Sequence, residues 1–208
     1  GRIDQYKALA HANRLREQGS AELVERRFDS TVRLDLVDAP SMHHTLFAAP
    51  MAPPPPDQDA LFLDGNHVGS ILSVSQPEDA VILDHVPQAL AYRIVRPQTV
   101  LLLGEMTAVN VWLALREGAT EVTVVQRYQP VADLHADRGA PPFDRSDVHL
   151  ITLDPRTYLE RTESRFDLIQ IVGAEGMPAS SGGLASLSED YLLTVESAAA
   201  AVEALRPG

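Results

Sequence analysis

The chain has 208 residues, 45% of them hydrophobic, which is enough to build one domain of ordinary size or a domain with a small appendage. Its 17 basic and 29 acidic residues give a net charge of −12, and this disfavours nucleic acid as a partner. Because it has no cysteine, disulfides, thiolate metal sites and a cysteine nucleophile are excluded.

The N-terminal part is predicted to contain a helix and then a strand. Apolar residues recur with helical spacing through residues 2–18, which predicts an amphipathic helix that ends near Gly19. Between Thr31 and Asp38 the apolar residues instead alternate with polar ones, and this period of two predicts a half-buried strand.

A stiff connector and a β-hairpin are predicted next. Pro50 and Pro53 to Pro56 lack the amide hydrogen that a sheet requires, so this stretch favours polyproline II. Leu61 to Leu63 and Val68 to Val74 are apolar runs on either side of Asp64-Gly65-Asn66, which is the pattern of a hairpin. We therefore expect a small antiparallel β unit ahead of the rest of the chain.

The second half of the chain alternates short apolar runs with helical patterns. Residues 79–95 contain Pro87, so this stretch is predicted to be a broken helix or two short ones. Four apolar runs of strand length then alternate with helices, and they begin at Val100, Val122, His149 and Phe166. Apolar strands separated by helices predict an α/β domain with a parallel sheet covered by helices on both faces.

These patterns divide the chain into three parts. Residues 1–28 are assigned to an N-terminal helical segment, 29–76 to a small β-hairpin domain with its proline-rich connector, and 77–208 to a Rossmann-like domain. Because the sequence stops at 206–208, where another strand would follow a helix, we expect the last domain to be truncated.

Over about residues 59–208 the sequence resembles the spermidine synthase family, and more closely a divergent bacterial branch that is often fused to membrane segments. The motifs that carry the resemblance are DALFLDGNHV, LDHVPQALAYRI, VLLLGEMTAVNVWLALREGATEVTVV, RFDLIQIVGAEG and LSEDYLLTVESAAAAVEALRPG. The opening RIDQYKALAHANRL also looks like the stretch that follows the membrane part in such fusions. The resemblance implies a class I methyltransferase-type fold and an aminopropyltransferase ancestry, with decarboxylated S-adenosylmethionine or S-adenosylmethionine as cofactor.

The resemblance places the cofactor in the loops after the first three strands of the parallel sheet. The family's glycine-rich G-G-G-x-G pattern reads Gly104-Glu105-Met106-Thr107-Ala108 here, so one glycine of four is kept and larger side chains occupy cofactor space. Gln126 stands where the family has an acid for the ribose hydroxyls, which weakens ribose binding. Asp154 matches the acid that meets the adenine amino group, and it also suits a helix N-cap with Pro155 in the first turn.

The resemblance also implies a proton acceptor in the site. Aminopropyl transfer needs a carboxylate that takes a proton from the attacking amine. In the family that acid ends the fourth strand, and here the position is Val172. Glu175 occupies a second acidic position three residues later and is the candidate base. At the positions where the family binds its amine substrate, this sequence keeps Asp64 and His85, which are candidate substrate ligands. It has Val68 where the family has a glutamine.

Two further groups of polar residues are not interpreted as ligand sites. Residues 133–137 resemble a ligand cluster, but helical spacing separates them and we interpret them as a solvated face. His43-His44 has no third ligand at a diagnostic spacing, so no metal site is predicted.

Three functional hypotheses follow. The chain is a spermidine-synthase-like domain with eroded motifs, acting as an atypical nucleoside-binding or non-catalytic module; or an active aminopropyl- or methyltransferase whose rearranged site uses Glu105, Asp154 and Glu175; or a protein-interaction domain without a small ligand. We expect a cytoplasmic location, a membrane-embedded segment outside this chain and a homodimer.

Overall fold

A computed structural model describes residues 7–43, 48–172 and 191–207. Six α-helices lie in these ranges: α1 (Ala8–Glu17), α2 (Ala89–Val95), α3 (Val109–Arg116), α4 (Gln129–Arg138), α5 (Pro155–Arg161) and α6 (Val195–Glu203). The eight strands there are β1 (Glu22–Phe28), β2 (Arg33–Asp38), β3 (Gln58–Leu63), β4 (Asn66–Leu72), β5 (Thr99–Leu103), β6 (Glu121–Gln126), β7 (Val148–Thr152) and β8 (Leu168–Ile171).

Strands β1 to β4 form an antiparallel sheet in chain order, which we call the small sheet. The predicted hairpin is present as β3 and β4, and its turn at Asp64-Gly65 has positive φ at both residues, as a tight two-residue hairpin turn requires. Both faces of the small sheet are covered, since Leu34 and Leu36 cluster with α4 while Phe62 clusters with α1. Strand β2 is therefore buried on both sides, and the expectation of a half-buried strand was wrong.

Strand β1 was missed by the sequence analysis and lies within the segment assigned as helical. It pairs with β2, with an irregularity between Leu23 and Glu25, and forms an edge of the small sheet. Its residues alternate between exposed and half-buried. The charged residues Glu25, Arg26 and Arg27 at its centre conceal the period of two, because an edge strand needs little apolar burial and tolerates charge.

A carboxylate with no exposure to solvent lies inside the small sheet. Asp35 accepts hydrogen bonds from Arg26 Nε at 2.6 Å and from Arg33 Nε at 2.7 Å. It lies opposite Phe62 in the register of β2 and β3, on the face away from α4. Two arginines therefore neutralise the one buried acid of β2.

Strands β5 to β8 form a parallel sheet in the order β7-β6-β5-β8, which we call the large sheet. Successive residues of β5 point to opposite faces: Val100 and Leu102 join a core with α3, and Leu101 and Leu103 join a core with α5 and α6. This two-sided burial explains the continuous apolar runs and confirms the predicted parallel sheet with helices on both faces.

The segment between the two sheets is broken as predicted. A 3-10 turn covers Val81–His85, and α2 begins after Pro87. In the ranges 7–43, 48–172 and 191–207, no helix has both the length and the hydropathy needed to cross a bilayer.

Candidate functional site

The candidate site lies at the carboxyl edge of the large sheet. Strand β5 is central, with β6 on one side and β8 on the other, so the strand order reverses beside the end of β5. In open parallel sheets this reversal point is where ligands bind. The segment that lies there is Gly104–Ala108, between Leu103 and the start of α3.

Glu105 turns its side chain back into its own loop. The residue is 2% exposed, and its two carboxylate oxygens accept six hydrogen bonds. The donors are the backbone amides of Met106, Thr107, Ala108 and Asn110, the Thr107 hydroxyl and the Asn110 side-chain amide, at 2.6 to 3.1 Å.

This arrangement gives the N-terminus of α3 an internal anion. The free amides at a helix start carry partial positive charge and favour a negative group, which is often a ligand in this kind of fold. Here the negative group is the carboxylate of Glu105, and we call Gly104–Ala108 the capped loop.

A partly buried hydrogen-bond chain extends from Glu105 to α2. Asn110 Oδ1 accepts from Gln170 Nε2 at 2.8 Å, and Gln170 Oε1 accepts from the Tyr92 hydroxyl at 2.7 Å. Burial raises the pKa of Tyr92, and the negative charge of Glu105 raises it further, so the phenol keeps its proton and remains a donor.

The small sheet touches the capped loop directly. Gly69 has φ +143°, and a Cβ atom there would lie 2.9 Å from Thr107 Cγ2. Met106 packs against the apolar cluster formed by the small sheet and α4, as Val68 and Ile71 of β4 also do. The space between the two sheets at this point is therefore occupied by the protein itself.

His135 of α4 holds the same loop from another side. Its Nε2 lies 2.8 Å from the Met106 carbonyl oxygen, which fixes the proton on Nε2, and its ring packs on Phe143. The residue is 6% exposed, and burial lowers its pKa. The expectation that residues 133–137 form a solvated face was wrong at His135 and at Leu134, because α4 packs between the two sheets.

Gln126, at the end of β6, is fully buried and bonded to its own loop. Its Nε2 donates to the Tyr128 carbonyl at 2.9 Å, and its Oε1 accepts from the Tyr128 amide at 2.6 Å. Both ends of the side-chain amide thus have backbone partners two residues away.

Asp154 caps α5, as predicted. Its Oδ1 accepts from the Thr157 amide at 3.1 Å, and Pro155 occupies the first turn. Its Oδ2 lies 3.4 Å from Arg127 Nη2, an ion pair between two half-exposed side chains that joins the loops after β6 and β7.

At the end of β8, the side chain of Val172 is partly buried and packs against the core that β5 forms with α3. Its amide donates to the Leu103 carbonyl at 2.8 Å, and its own carbonyl oxygen would lie 2.7 Å from a Cβ atom at position 104. Gly104, with φ +87°, is therefore required by geometry at the start of the capped loop. Glu175, the candidate base, lies outside the described residues.

The two candidate amine ligands lie outside the capped loop. Asp64 has a structural hydrogen bond through its side chain, and His85 has one through its backbone carbonyl. Asp64 is in the turn of the small sheet, where its Oδ1 accepts from the Arg33 amide at 3.0 Å and its carbonyl accepts from Lys7. The carbonyl of His85 accepts from the Ala49 amide at 2.9 Å. Their role as substrate ligands stays a prediction.

Sequence reasoning missed the polar residues that connect to Glu105. Gln170 interrupts the apolar run of β8, and Asn110 interrupts the apolar start of α3. A polar residue inside an otherwise apolar element is the signal that marks an internal hydrogen-bond network.

No protein-family profile matches the sequence, and no curated protein is significantly similar to it. Solved structures of spermidine synthases do match its fold. A spermidine synthase in complex with the transition-state analogue AdoDATO has 16% identity and a TM-score of 0.57, covering 88% of this chain and 53% of that one. The spermidine synthase from Thermotoga maritima has 14% identity and a TM-score of 0.57, covering 88% and 54%.

A probable spermidine synthase from Corynebacterium glutamicum ATCC 13032 has 15% identity and a TM-score of 0.58, covering 90% of this chain and 62% of that one. The chain thus spans between half and two thirds of the length of these structures. It has a spermidine synthase-like fold, in which a small antiparallel sheet precedes a parallel sheet.

Proposed function

We propose that this chain is a non-catalytic domain of SAM-type transferase ancestry whose nucleoside site is occupied by its own side chains. The observation that carries the proposal is the carboxylate of Glu105, which takes the backbone donors of the capped loop and of Asn110 in the first turn of α3. A ligand that used these amides would have to displace a buried group with six hydrogen bonds, and each lost bond to a charged group costs roughly 1.5–3 kcal/mol.

The two other nucleoside positions support the same proposal. Ribose binding needs an acceptor that faces the ligand, and Gln126 is buried with both ends bonded to the Tyr128 backbone. Asp154 already caps α5 and pairs with Arg127, so an adenine amino group would compete with these partners.

The chemical step lacks a proton acceptor at the position where the resemblance requires one. An attacking amine must lose its proton, and the aliphatic side chain of Val172 cannot accept it. The rearranged transferase hypothesis assigned roles to Glu105, Asp154 and Glu175. The first two carboxylates have structural partners, and Glu175 lies outside the described residues.

The setting of the domain is proposed from the resemblance alone. We propose a cytoplasmic module from the branch of spermidine-synthase relatives that is fused to membrane segments, with self-association as a homodimer.

Ligand binding is the direct test. Thermal unfolding is measured with S-adenosylmethionine, its decarboxylated form and methylthioadenosine, with an active spermidine synthase as positive control. A ligand present at 100 times its dissociation constant adds about 2.7 kcal/mol to stability, which a thermal shift detects readily. We expect no shift for this chain, and we expect no aminopropyl transfer to putrescine.

A double variant tests whether the chain's own side chains prevent nucleoside binding. Gln126→Glu restores an acid at the end of β6, and Glu105→Gly restores a glycine in the capped loop. If self-occupation closes the site, the double variant gains a nucleoside-dependent shift that the native chain lacks. A nucleoside-dependent shift with the native chain, or turnover of putrescine, would overturn the proposal.

A further inference from the structure

The last turn of α4 contacts both the capped loop and the small sheet. His135 Nε2 donates to the Met106 carbonyl at 2.8 Å. Asp137 accepts from Arg27 Nη1 of β1 at 2.8 Å, and Arg138 Nη2 donates to Asp59 of β3 at 2.9 Å. One helical turn therefore binds three separate parts of the molecule.

The capped loop and the small sheet also touch each other, so these contacts form a closed cycle. Thr107 faces the bare Cα of Gly69, and Met106 packs against the apolar cluster that small-sheet residues form with Val131 and Leu134 of α4. A shift of the small sheet away from α4 would remove the surface on which Met106 and Thr107 rest.

We propose that docking of the small sheet on α4 holds the loop after β5 in its Glu105-capped form, so that release of the sheet releases the loop. The inference does not depend on the proposed function, because it concerns how the loop is held and not what the loop binds. Coupling of this kind travels through contiguous contacts and is reciprocal.

The ion pairs Arg27–Asp137 and Arg138–Asp59 allow the strength of docking between the small sheet and α4 to be changed. Arg27 is 20% and Asp137 70% exposed in their side chains, and Arg138 and Asp59 are 32% and 21% exposed. Partly exposed pairs contribute modestly and weaken with salt. Removing the two arginines should therefore weaken the contact between the small sheet and α4, and it should leave no buried charge without a partner.

Amide hydrogen exchange tests the proposal on the full 208-residue chain with Arg27→Ala/Arg138→Ala. The reporters are the amides of Thr107 and Ala108, which donate to Glu105. We expect their exchange to accelerate about fivefold or more, as local opening becomes easier. Exchange in the β6–β7 ladder should be unchanged.

Arg145→Ala is the matched control, because Arg145 pairs with Asp147 ahead of β7 with a similar side-chain exposure of 38%. It should leave the two loop amides unaffected. Unchanged loop exchange in the double variant would overturn the proposal. Equal acceleration in the loop and in the β6–β7 ladder would also overturn it, because that result means a global loss of stability.

A reciprocal measurement starts from the loop. Glu105→Gln weakens the capped loop while keeping the side-chain shape, and coupling requires faster exchange at Gly69 and Ser70 of β4. If the loop amides accelerate while β4 does not, the loop moves independently of the small sheet and the inference is wrong.

Discussion

Asn110 donates its side-chain amide to the Glu105 carboxylate across 2.6 Å, and its backbone amide donates to the same oxygen at 3.1 Å. The first turn of α3 is thus fastened to the loop that precedes it. Because Asn110 also accepts from Gln170, the fastening extends to β8. Stability of this part of the fold should depend strongly on position 105.

Glu105→Ala should lower the free energy of unfolding by about 3 kcal/mol or more, because it leaves buried donors without an acceptor. Glu105→Gln keeps an oxygen for the backbone amides but loses the charge and opposes the Asn110 donor, so about half of that loss is expected. Urea denaturation of both variants measures the difference. Equal stability of Glu105→Ala and the native chain would contradict the role of this residue as an internal cap.

Gly104→Ala should be more costly than Gly118→Ala. Both glycines have positive φ, +87° and +97°, so each change carries about 1–2 kcal/mol of backbone strain. A Cβ atom at 104 would also meet the Val172 carbonyl oxygen at 2.7 Å, whereas nothing lies within 4 Å of one at 118. We expect a further loss of about 1–3 kcal/mol at 104, measured by denaturant unfolding. Similar losses at both positions would show that the contact is unimportant.

His135 should make stability depend on pH. Burial lowers its pKa from 6.5 in the folded state, so the unfolded chain binds a proton before the folded chain does. The contribution of the neutral ring is complete above pH 6.5 and is lost as pH falls below that value.

His135→Gln keeps a donor for the Met106 carbonyl but does not titrate. Free energies of unfolding measured between about pH 5 and 8 should therefore fall less steeply toward acid in the variant than in the native chain. Parallel curves would show that His135 titrates alike in both states.

Asp154→Ala should lower stability by about 1 kcal/mol, the usual effect of removing an N-cap. Asp154→Asn keeps a capping oxygen for Thr157 and loses only the ion pair with Arg127, so a smaller loss is expected. Chemical denaturation compares the two. An equally large loss in both would assign the effect to the ion pair.

Much of the fold could be predicted because its periods are strong. The large sheet lies between helices, so β5 shows an unbroken apolar run, and Asp64-Gly65 marks the turn between β3 and β4. Strand β1 escaped prediction because its charged centre, with Arg26 and Arg27, hides the alternation. The cap at Asp154 was predictable because an N-cap acts within four residues.

The candidate site was harder to predict, because side-chain direction there is set by partners that spacing does not reveal. The sequence suggests Glu105 as a residue that faces a ligand, but its carboxylate folds back onto Asn110. Gln126 matches a ribose position, yet its amide satisfies the Tyr128 backbone. His135 lies on a helix with polar neighbours, and its burial depends on how two distant sheets dock.

The enclosed carboxylate of Asp35 also has a consequence for how the strands find their alignment. A slip of one residue between β2 and its neighbours would turn Asp35 toward the apolar contacts of Leu34 and Leu36 with α4, and would separate it from Arg26. A carboxylate moved into that apolar layer would keep Arg33, which lies on the same strand, but would lose Arg26, and burying it there with one arginine fewer disfavours the misaligned pairing. The acid thus selects one register of assembly.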